Sequence, residues 1–347
     1  MNTFFLDYRD PLFSIIALFV LIFLVTFISY WWGRYKHGED DKDLDRFLQN
    51  FRTLPSEEEL TLLISSGEIA QKSWLLLASS YNKNGDFEKS IEIYTELLKV
   101  GSSSKKEVMF LLGKTYFKAG FLERSKEIFL EILKHNPRTP QALRYLLLVY
   151  EYLRDYKSAQ EVLEPLDILE EDIVSDAYYL KMLQVVNNPK LDTTQKETQL
   201  LALHQESQLL SYMVFEFLFR HNPKLAWQNL KEEDAPKIVD ILWRLDKKDL
   251  DLDIISKSSY LCELYSARDN LSLASKSDVF EFNILIHLKN TTDTTLNFEY
   301  ICQSCQKGAP FAFHRCSHCH TIDKQLVEFT LTKDYYRNFS EENNSFQ

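Results

Sequence analysis

The chain has 347 residues, of which 51 are acidic and 40 are basic, and its formal net charge is −11. This length suits one extended domain or two compact ones. The acidic balance argues against a nucleic-acid binder, whose surface would be basic. The eight glycines are dispersed, and we find no nucleophile motif or phosphate-binding loop, so we expect no enzyme.

The first distinctive segment is residues 12–32, LFSIIALFVLIFLVTFISYWW, which contains no charge. As a helix it can cross a hydrocarbon core about 30 Å thick. A cleaved signal peptide is the alternative, but no basic segment precedes the apolar run and no small-residue cleavage site follows it. The sequence therefore predicts a single transmembrane helix at 12–32 behind a short extracytoplasmic leader, 1–11.

The charges beside this segment predict its orientation. Arg34 and Lys36 follow it closely, which places the large C-terminal part in the cytoplasm. The two CxxC pairs near the C-terminus also favour a reducing compartment. We expect a single-pass membrane protein with its bulk in the cytoplasm and a charged juxtamembrane linker or helix at 33–55.

A sequence pattern then recurs three times, most clearly in residues 71–168. Its equivalent tyrosines, Tyr81, Tyr116 and Tyr150, are 35 and then 34 residues apart. This period is typical of an array of helix-turn-helix repeats. Many of the large aromatic residues in such an array pack within it, and a partner would contact those that face its groove.

The small residues and turns of this pattern predict pairs of antiparallel helices. Ala78 and Gly113 occupy equivalent positions where two helices can approach closely. Gly85 and Gly120 stand where the first helix of a pair must end, often with positive φ, whereas the third copy has Arg154 there. The pattern resembles the tetratricopeptide repeat, whose arrays form a curved superhelix with a concave binding face.

Beyond Leu166 the pattern weakens while helical periodicity continues. Three further segments have apolar residues three and four positions apart, at 176–186, 197–220 and 235–245. We interpret them as degenerate repeats of the same array. The predicted tetratricopeptide-like region is therefore 56–290.

The remaining motif is a pair of CxxC sequences. Cys302 and Cys305 form the first, Cys316 and Cys319 the second, and ten residues separate them. Two facing CxxC turns supply four thiolates in tetrahedral geometry, which suits zinc or iron. We favour zinc in a structural role, because four thiolates leave no open position for catalysis. The predicted zinc ribbon covers 291–325, and a polar tail covers 326–347.

Other residues near this motif have less specific interpretations. His314, His318 and His320 can each replace a thiolate, but the four cysteines already complete the shell, so we expect these histidines at the surface or around the ligands. Cys262 is isolated and is expected to be a buried apolar residue. A ribbon this small cannot form its own core, so it must dock on the helices.

The predicted fold class is all-α: a tetratricopeptide superhelix behind one transmembrane helix, with a small C-terminal zinc ribbon. This architecture resembles the LapB (YciM) family of lipopolysaccharide assembly proteins. The resemblance implies that Cys302, Cys305, Cys316 and Cys319 form a rubredoxin-like site whose ribbon packs on the repeats. It also implies work beside an FtsH-type membrane protease that controls turnover of a client enzyme of lipid A synthesis.

A narrower resemblance rests on TFFLDYRDPLF, GKTYFKAGFLERSKEIFLEILK and the ribbon. These segments are similar to those of a LapB-related group associated with flagellar motility. That group implies a chaperone that shields stator membrane proteins from proteolysis. Both resemblances imply a non-catalytic, membrane-tethered scaffold for membrane-protein clients. A zinc-ribbon nucleic-acid binder is the alternative of another class.

Overall fold

The computed structural model describes residues 19–27, 57–67, 69–101, 104–268, 271–288 and 294–333. The chain divides into two compact units, Met1–Pro165 and Leu166–Gln347. The first unit is helical. The second combines helices with a small antiparallel sheet.

Part of the predicted membrane segment is described. Residues 19–27 are helical, and their apolar side chains are exposed; Phe19, for example, is 66% exposed. In the described parts of the chain, no helix is both long and apolar enough to cross a membrane. The rest of 12–32, the leader 1–11 and the linker 33–55 lie outside the described residues.

Seven described helices follow residue 56, the last of which continues from the first unit into the second, and consecutive helices pack against one another from α2 to α6. Their bounds are α1 Glu57–Ser66, α2 Gln71–Asn84, α3 Phe87–Val100, α4 Lys105–Lys118, α5 Leu122–His135, α6 Pro140–Tyr152 and α7 Tyr156–Ile168. The pairs α2/α3, α4/α5 and α6/α7 correspond to the three predicted copies of the repeat.

The same turn joins the two helices of each pair. The carbonyl of each repeat tyrosine accepts a hydrogen bond of 2.9 Å from the amide of the residue five positions later. The pairs are Tyr81 and Asp86, Tyr116 and Phe121, and Tyr150 and Asp155. The residue just before each donor has positive φ: 88° at Gly85, 82° at Gly120 and 59° at Arg154. The turns predicted at the two glycines are confirmed, and the third copy forms the same turn with arginine in the left-handed conformation.

Small residues bring the paired helices close together. The Ser90 hydroxyl donates to the Ala78 carbonyl, and the Ser125 hydroxyl donates to the Gly113 carbonyl, both at 2.9 Å. A Cβ atom on Gly113 would lie 3.0 Å from the Phe129 ring. The predicted close approach of helices at Ala78 and Gly113 is therefore confirmed.

The second unit begins with helices of similar length and then becomes irregular. Its α-helices are α8 Val174–Val186, α9 Thr193–Ser207, α10 Ser211–His221, α11 Pro223–Asn229, α12 Val239–Arg244, α13 Leu252–Ile255, α14 Ser259–Ala267 and α15 Phe280–Leu288. Two 3-10 helices, Glu232–Ile238 and Lys247–Asp249, lie between them.

This irregular part departs from the expected continuation of the array to residue 290. From Pro223 to Leu288 no described helix exceeds nine residues. Pro236 lies inside a 3-10 helix and lacks the amide that a longer α-helix needs. Short elements here pack around a common aromatic core, so the regular helix pairs of the first unit do not recur in this segment.

The sheet of the second unit has the order β2-β1-β3, with both pairings antiparallel. Its strands are β1 Thr294–Cys302, β2 Gly308–Ala309 and β3 Gln325–Lys333. The polar tail predicted from residue 326 is thus wrong up to Lys333, because β3 pairs with β1 along its whole length. Val327, Phe329 and Leu331 alternate toward the core, a period-2 pattern that the sequence analysis missed.

The sheet shares one hydrophobic core with the helices of its unit. Leu296, Tyr300 and Val327 from the strands are buried in the same cluster as residues of α8 to α15. The rings of Phe282 and Phe329 stack with centroids 5.2 Å apart and an interplanar angle of 4°. The expected docking of the ribbon on helices is therefore confirmed within this unit.

Candidate functional site

The two CxxC sequences fold into two equivalent turns. In the first turn, the Cys302 amide donates to the Lys307 carbonyl at 3.0 Å, and the Cys302 carbonyl accepts the Gln306 amide at 2.8 Å. In the second turn, the Cys316 amide donates to the Thr321 carbonyl and the Cys316 carbonyl accepts the His320 amide, both at 2.9 Å. Gln306 and His320 both adopt positive φ, at 58° and 63°. The chain therefore reverses twice in the same way and directs both pairs of sulfurs to one point.

The spacing of the sulfurs fits a tetrahedral metal site. All four Sγ atoms lie within 4.8 Å of one another. Cys302 Sγ is 3.6 Å from Cys319 Sγ, and Cys305 Sγ is 3.7 Å from Cys316 Sγ. A tetrahedron with zinc–sulfur bonds of about 2.3 Å has edges of about 3.8 Å, whereas a disulfide bond is about 2.05 Å. The four predicted ligands can thus hold one metal ion.

Hydrogen bonds favour the thiolate at two of the four sulfurs, those of Cys302 and Cys319, whereas burial raises the pKa of Cys305 to about 12. Burial raises the pKa of the Cys302 thiol, but the amides of Cys305 and Ser304 and the Thr321 hydroxyl lower it by more. Burial also raises the pKa of the Cys319 thiol. Hydrogen bonds from the hydroxyl and amide of Thr321 lower it, and the resulting pKa is about 6. The thiolate is the form that binds metal, so these donors assist coordination.

The structure gives the three histidines different roles. His320 is the left-handed residue of the second turn. The His318 amide donates to Cys316 Sγ at 3.4 Å. His314 Nε2 lies 3.2 Å from Glu216 Oε2 on α10. The ligand cluster found among the described residues consists of the four cysteines and includes none of these histidines.

The isolated cysteine differs slightly from its expected environment. Cys262 is half-buried rather than fully buried, and its thiol donates to the Ile255 carbonyl at 3.2 Å. Burial raises the pKa of this thiol, so it stays protonated at neutral pH. Cys262 behaves as a packing residue with a weak hydrogen bond.

An arginine next to Cys316 fastens the second turn to a helix. Arg315 Nη2 lies 2.8 Å from Asp176 Oδ1 on α8, with the two side chains only 8% and 10% exposed. Its Nη1 donates to the His320 carbonyl at 2.8 Å. The guanidinium also lies 5.3 Å from the Tyr179 ring centroid. One side chain therefore connects the second cysteine turn to the helical core.

A buried carboxylate provides the second polar connection. Asp240 is 1% exposed, and its Oδ2 accepts the hydroxyls of Tyr212 at 2.7 Å and Tyr300 at 2.8 Å. Tyr300 lies on β1 and Tyr212 on α10, so the contact joins sheet to helices. Sequence spacing predicts neither contact, because Tyr300 lies 60 residues from Asp240 and Arg315 lies 139 residues from Asp176.

Comparison with known families identifies the class of repeat in the first unit. Residues 71–100 match the sequence profile of the tetratricopeptide repeat. This match covers α2 and α3, the first predicted copy. It supports a protein that contains tetratricopeptide repeats and uses them for protein–protein interaction.

Several solved structures are similar in fold. One is a MamA RS-1 ArsTM double mutant, with a TM-score of 0.35 and 17% identity over 45% of this chain and 88% of that chain. A second is a tetratricopeptide repeat protein from Parabacteroides merdae ATCC 43184, with a TM-score of 0.37 and 15% identity over 72% of this chain and 97% of that chain. A third is YrrB, a tetratricopeptide protein with an unusual peptide-binding site, with a TM-score of 0.34 and 16% identity over 53% of this chain and 93% of that chain. TM-scores this low carry no functional conclusion. None of the curated protein sequences compared with the chain matches it significantly.

Proposed function

We propose that this protein is a non-catalytic scaffold that binds a protein partner through the first helices of its repeats, α2, α4 and α6. The observation that carries the proposal is the threefold recurrence of one helix-turn-helix unit, the first copy of which matches the tetratricopeptide family. Equivalent first helices placed side by side offer one continuous surface to an extended or helical segment.

The proposed partners are inner-membrane or membrane-associated proteins. The apolar segment 12–32 supports a tether to the bacterial inner membrane, with the bulk of the chain in the cytoplasm. The resemblance to LapB favours control of a client's turnover together with an FtsH-type protease. The flagellar resemblance favours protection of stator proteins instead, and the opening sequence TFFLDYRDPLF supports it.

The proposed metal is a structural zinc ion held by Cys302, Cys305, Cys316 and Cys319. When bound, it would cross-link the two turns and stabilise a ribbon too small to fold alone. Arg315 and Tyr300 then hold this ribbon against the helices of its unit.

The tether has a physical purpose in this proposal. A binding surface fixed to the membrane searches for its client in a thin layer near the bilayer, where the effective concentration reaches about the millimolar range. Weak contacts on the repeat surface are then sufficient. A form of the protein without the segment 12–32 would lose this advantage although its repeats are unchanged.

The test measures the half-life of the client after translation is blocked. Proximity labelling from the ribbon first identifies membrane proteins near the full-length chain in cells. The half-life of the labelled client is then compared in cells that lack the protein and in cells that carry the full-length chain, a form beginning at Asp41, or that form joined to an unrelated transmembrane helix. We expect the full-length and re-anchored forms alone to restore the normal value.

Two results would contradict the proposal. An unchanged half-life on deletion would exclude control of turnover, and full function of the Asp41 form would show that the tether is dispensable. A longer half-life on deletion would favour the LapB-like function, and a shorter one would favour the stator chaperone. A phosphatase fused after Gln347 tests the orientation, because it should be inactive in the cytoplasm.

A further inference from the structure

Three lysines lie together on the first helices of the first two repeats. Lys83 on α2 and Lys118 on α4 are 35 residues apart, like the repeat tyrosines, and Lys114 is one turn before Lys118. Lys118 Nζ donates to Asn82 Oδ1 at 3.2 Å, and Asn82 Nδ2 donates to Thr115 Oγ1 at 2.7 Å. The asparagine bridges the two helices and holds the lysines near one another.

These positive charges lack acidic partners in the described part of the chain. No ion pair there joins Lys83, Lys114 or Lys118 to a carboxylate, whereas Lys99 and Lys126 each have one. Burial lowers the pKa of Lys118, and the charges of Lys114 and Lys83 lower it further. The three ammonium groups therefore repel one another, and a bound anion would relieve that repulsion.

Aromatic rings continue this surface from α4 to α6. Lys114 Nζ lies 5.8 Å from the Tyr145 ring centroid. Phe117 packs edge-to-face on Tyr145 at 5.8 Å and on Tyr152 at 5.4 Å. Tyr152 is 55% exposed. An apolar side chain placed beside the lysines would cover this exposed ring surface.

We name these residues the basic-aromatic face: Asn82, Lys83, Lys114, Phe117, Lys118, Tyr145 and Tyr152. We infer that the basic-aromatic face binds an acidic peptide segment of the partner, with its carboxylates at the lysines and an apolar side chain on the aromatic rings. The inference rests on the proposed function and specifies the chemistry of its ligand.

Charge complementarity favours this occupant over a nucleic acid. The chain carries a net charge of −11, so its overall field repels a long polyanion, whereas a short acidic segment needs only the local lysines. Carboxylates near ammonium groups gain attraction and steering on approach, and both weaken as salt rises. An extended segment can contact α2, α4 and α6 in succession.

The test uses the full-length protein in lipid nanodiscs and a fluorescein-labelled synthetic decapeptide with five glutamates and one phenylalanine. Fluorescence anisotropy gives its dissociation constant. The double variant Lys83→Glu/Lys118→Glu should weaken binding by about tenfold or more, because two attractive pairs become repulsive. The matched variant Lys105→Glu/Lys134→Glu makes the same charge change at two exposed lysines outside the face and should bind as the parent does.

A third variant and two further probes complete the test. Tyr152→Ala should weaken binding of this peptide but leave binding of an all-glutamate decapeptide unchanged. A decapeptide with glutamine in place of glutamate should bind at least about tenfold more weakly than the acidic one. Circular dichroism of each variant checks that the helices remain folded.

Several results would overturn the inference. The first is that Lys105→Glu/Lys134→Glu weakens binding of the acidic peptide as much as Lys83→Glu/Lys118→Glu does. The second is that the glutamine peptide binds as tightly as the acidic one. The third is that a ten-nucleotide single-stranded DNA binds more tightly than the acidic peptide. Its failure is distinguishable from failure of the proposed function. If Lys83→Glu/Lys118→Glu still sets the normal client half-life, the scaffold function stands and this face is not the site.

Discussion

The residues that matter most in the second unit are buried polar groups with distant partners. Asp240 accepts two tyrosine hydroxyls through Oδ2, while its Oδ1 has no hydrogen-bond partner among the described residues. A buried oxygen that loses a donor costs more than an exposed one, since water cannot replace the bond. The Tyr300 hydroxyl is therefore important for holding β1 against α12.

We expect Tyr300→Phe to lower the free energy of unfolding by about 1–3 kcal/mol, because it leaves the carboxylate with one donor fewer. Burial first, and then the bond to Asp240, raise the pKa of Tyr300 to about 12. Since this pKa is above the unfolded value of about 10, the hydroxyl contributes fully below pH 10 and its contribution is lost as pH rises through about 12.

Urea denaturation at pH 7 measures this change. Tyr178→Phe is the control, because Tyr178 also donates to a carboxylate, that of Glu206 at 3.0 Å, but at an exposed site. The control should change stability by no more than about 0.5 kcal/mol. Equal effects of the two substitutions would show that the buried contact to Asp240 has no special weight.

At the metal ligands, we expect Cys302→Ser/Cys305→Ser to abolish stoichiometric metal binding. A serine hydroxyl is not a thiolate, and the two remaining sulfurs cannot complete a tetrahedral shell. Elemental analysis of the purified protein measures the metal. His318→Ala should retain one equivalent, since the ligand cluster contains only cysteines. One equivalent in the double serine variant would reject the assignment.

At the scale of elements, one turn closes all three helix pairs despite a change of residue. Gly85 and Gly120 adopt positive φ without a steric penalty, but Arg154 does so at 59° with its Cβ close to the backbone. The third copy nevertheless keeps the hydrogen bond from the Asp155 amide to the Tyr150 carbonyl that closes the turn in the other two pairs.

Arg154→Gly should therefore relieve about 1 kcal/mol of backbone strain. The larger entropy that glycine loses on folding offsets part of this gain in the free energy of unfolding. The thermal unfolding midpoint should rise. Lys157→Gly, three residues later and inside α7, should do the opposite, because glycine in a helix costs about 1 kcal/mol relative to alanine. A fall in the midpoint for Arg154→Gly would show that the arginine side chain contributes more than its backbone costs.

At the scale of the whole molecule, the two units have different sources of stability. In the first, consecutive helices pack on one another from α2 to α6, so this core is local in sequence. The second encloses β1 and β3 in one core with α8 to α15. If the metal stabilises the ribbon, its binding energy contributes to the folding of that second core.

Removing the metal with a chelator should therefore increase amide hydrogen exchange in 294–333 and in the facing helices α8 and α10. Exchange in 71–165 should change little, because the candidate ligand cluster found among the described residues lies in the second unit. Mass spectrometry of peptides from the full-length protein measures both regions at once. Equal increases in both units, or none in either, would contradict a metal that stabilises the second unit alone.

The local features of this protein follow from its amino-acid sequence. The period of 35 and 34 residues, the turn glycines and the paired CxxC motifs each depend on spacings within a few dozen residues, so the helix pairs and the clustering of the four cysteines could be predicted directly. The same information placed the ends of elements less well. The strand from Gln325 to Lys333 was taken for a tail, although its apolar residues alternate.

The way the ribbon is held and the way the array ends depend instead on contacts between residues far apart in the chain. Arg315 donates to Asp176, which is 139 residues away in the chain, and Tyr300 donates to Asp240, which is 60 residues away. Neither pairing has a periodicity that one sequence reveals. The basic-aromatic face likewise required the packing of three helices to bring Lys83, Lys118 and Tyr152 onto one surface, because side chains more than 30 residues apart become neighbours only through tertiary contacts.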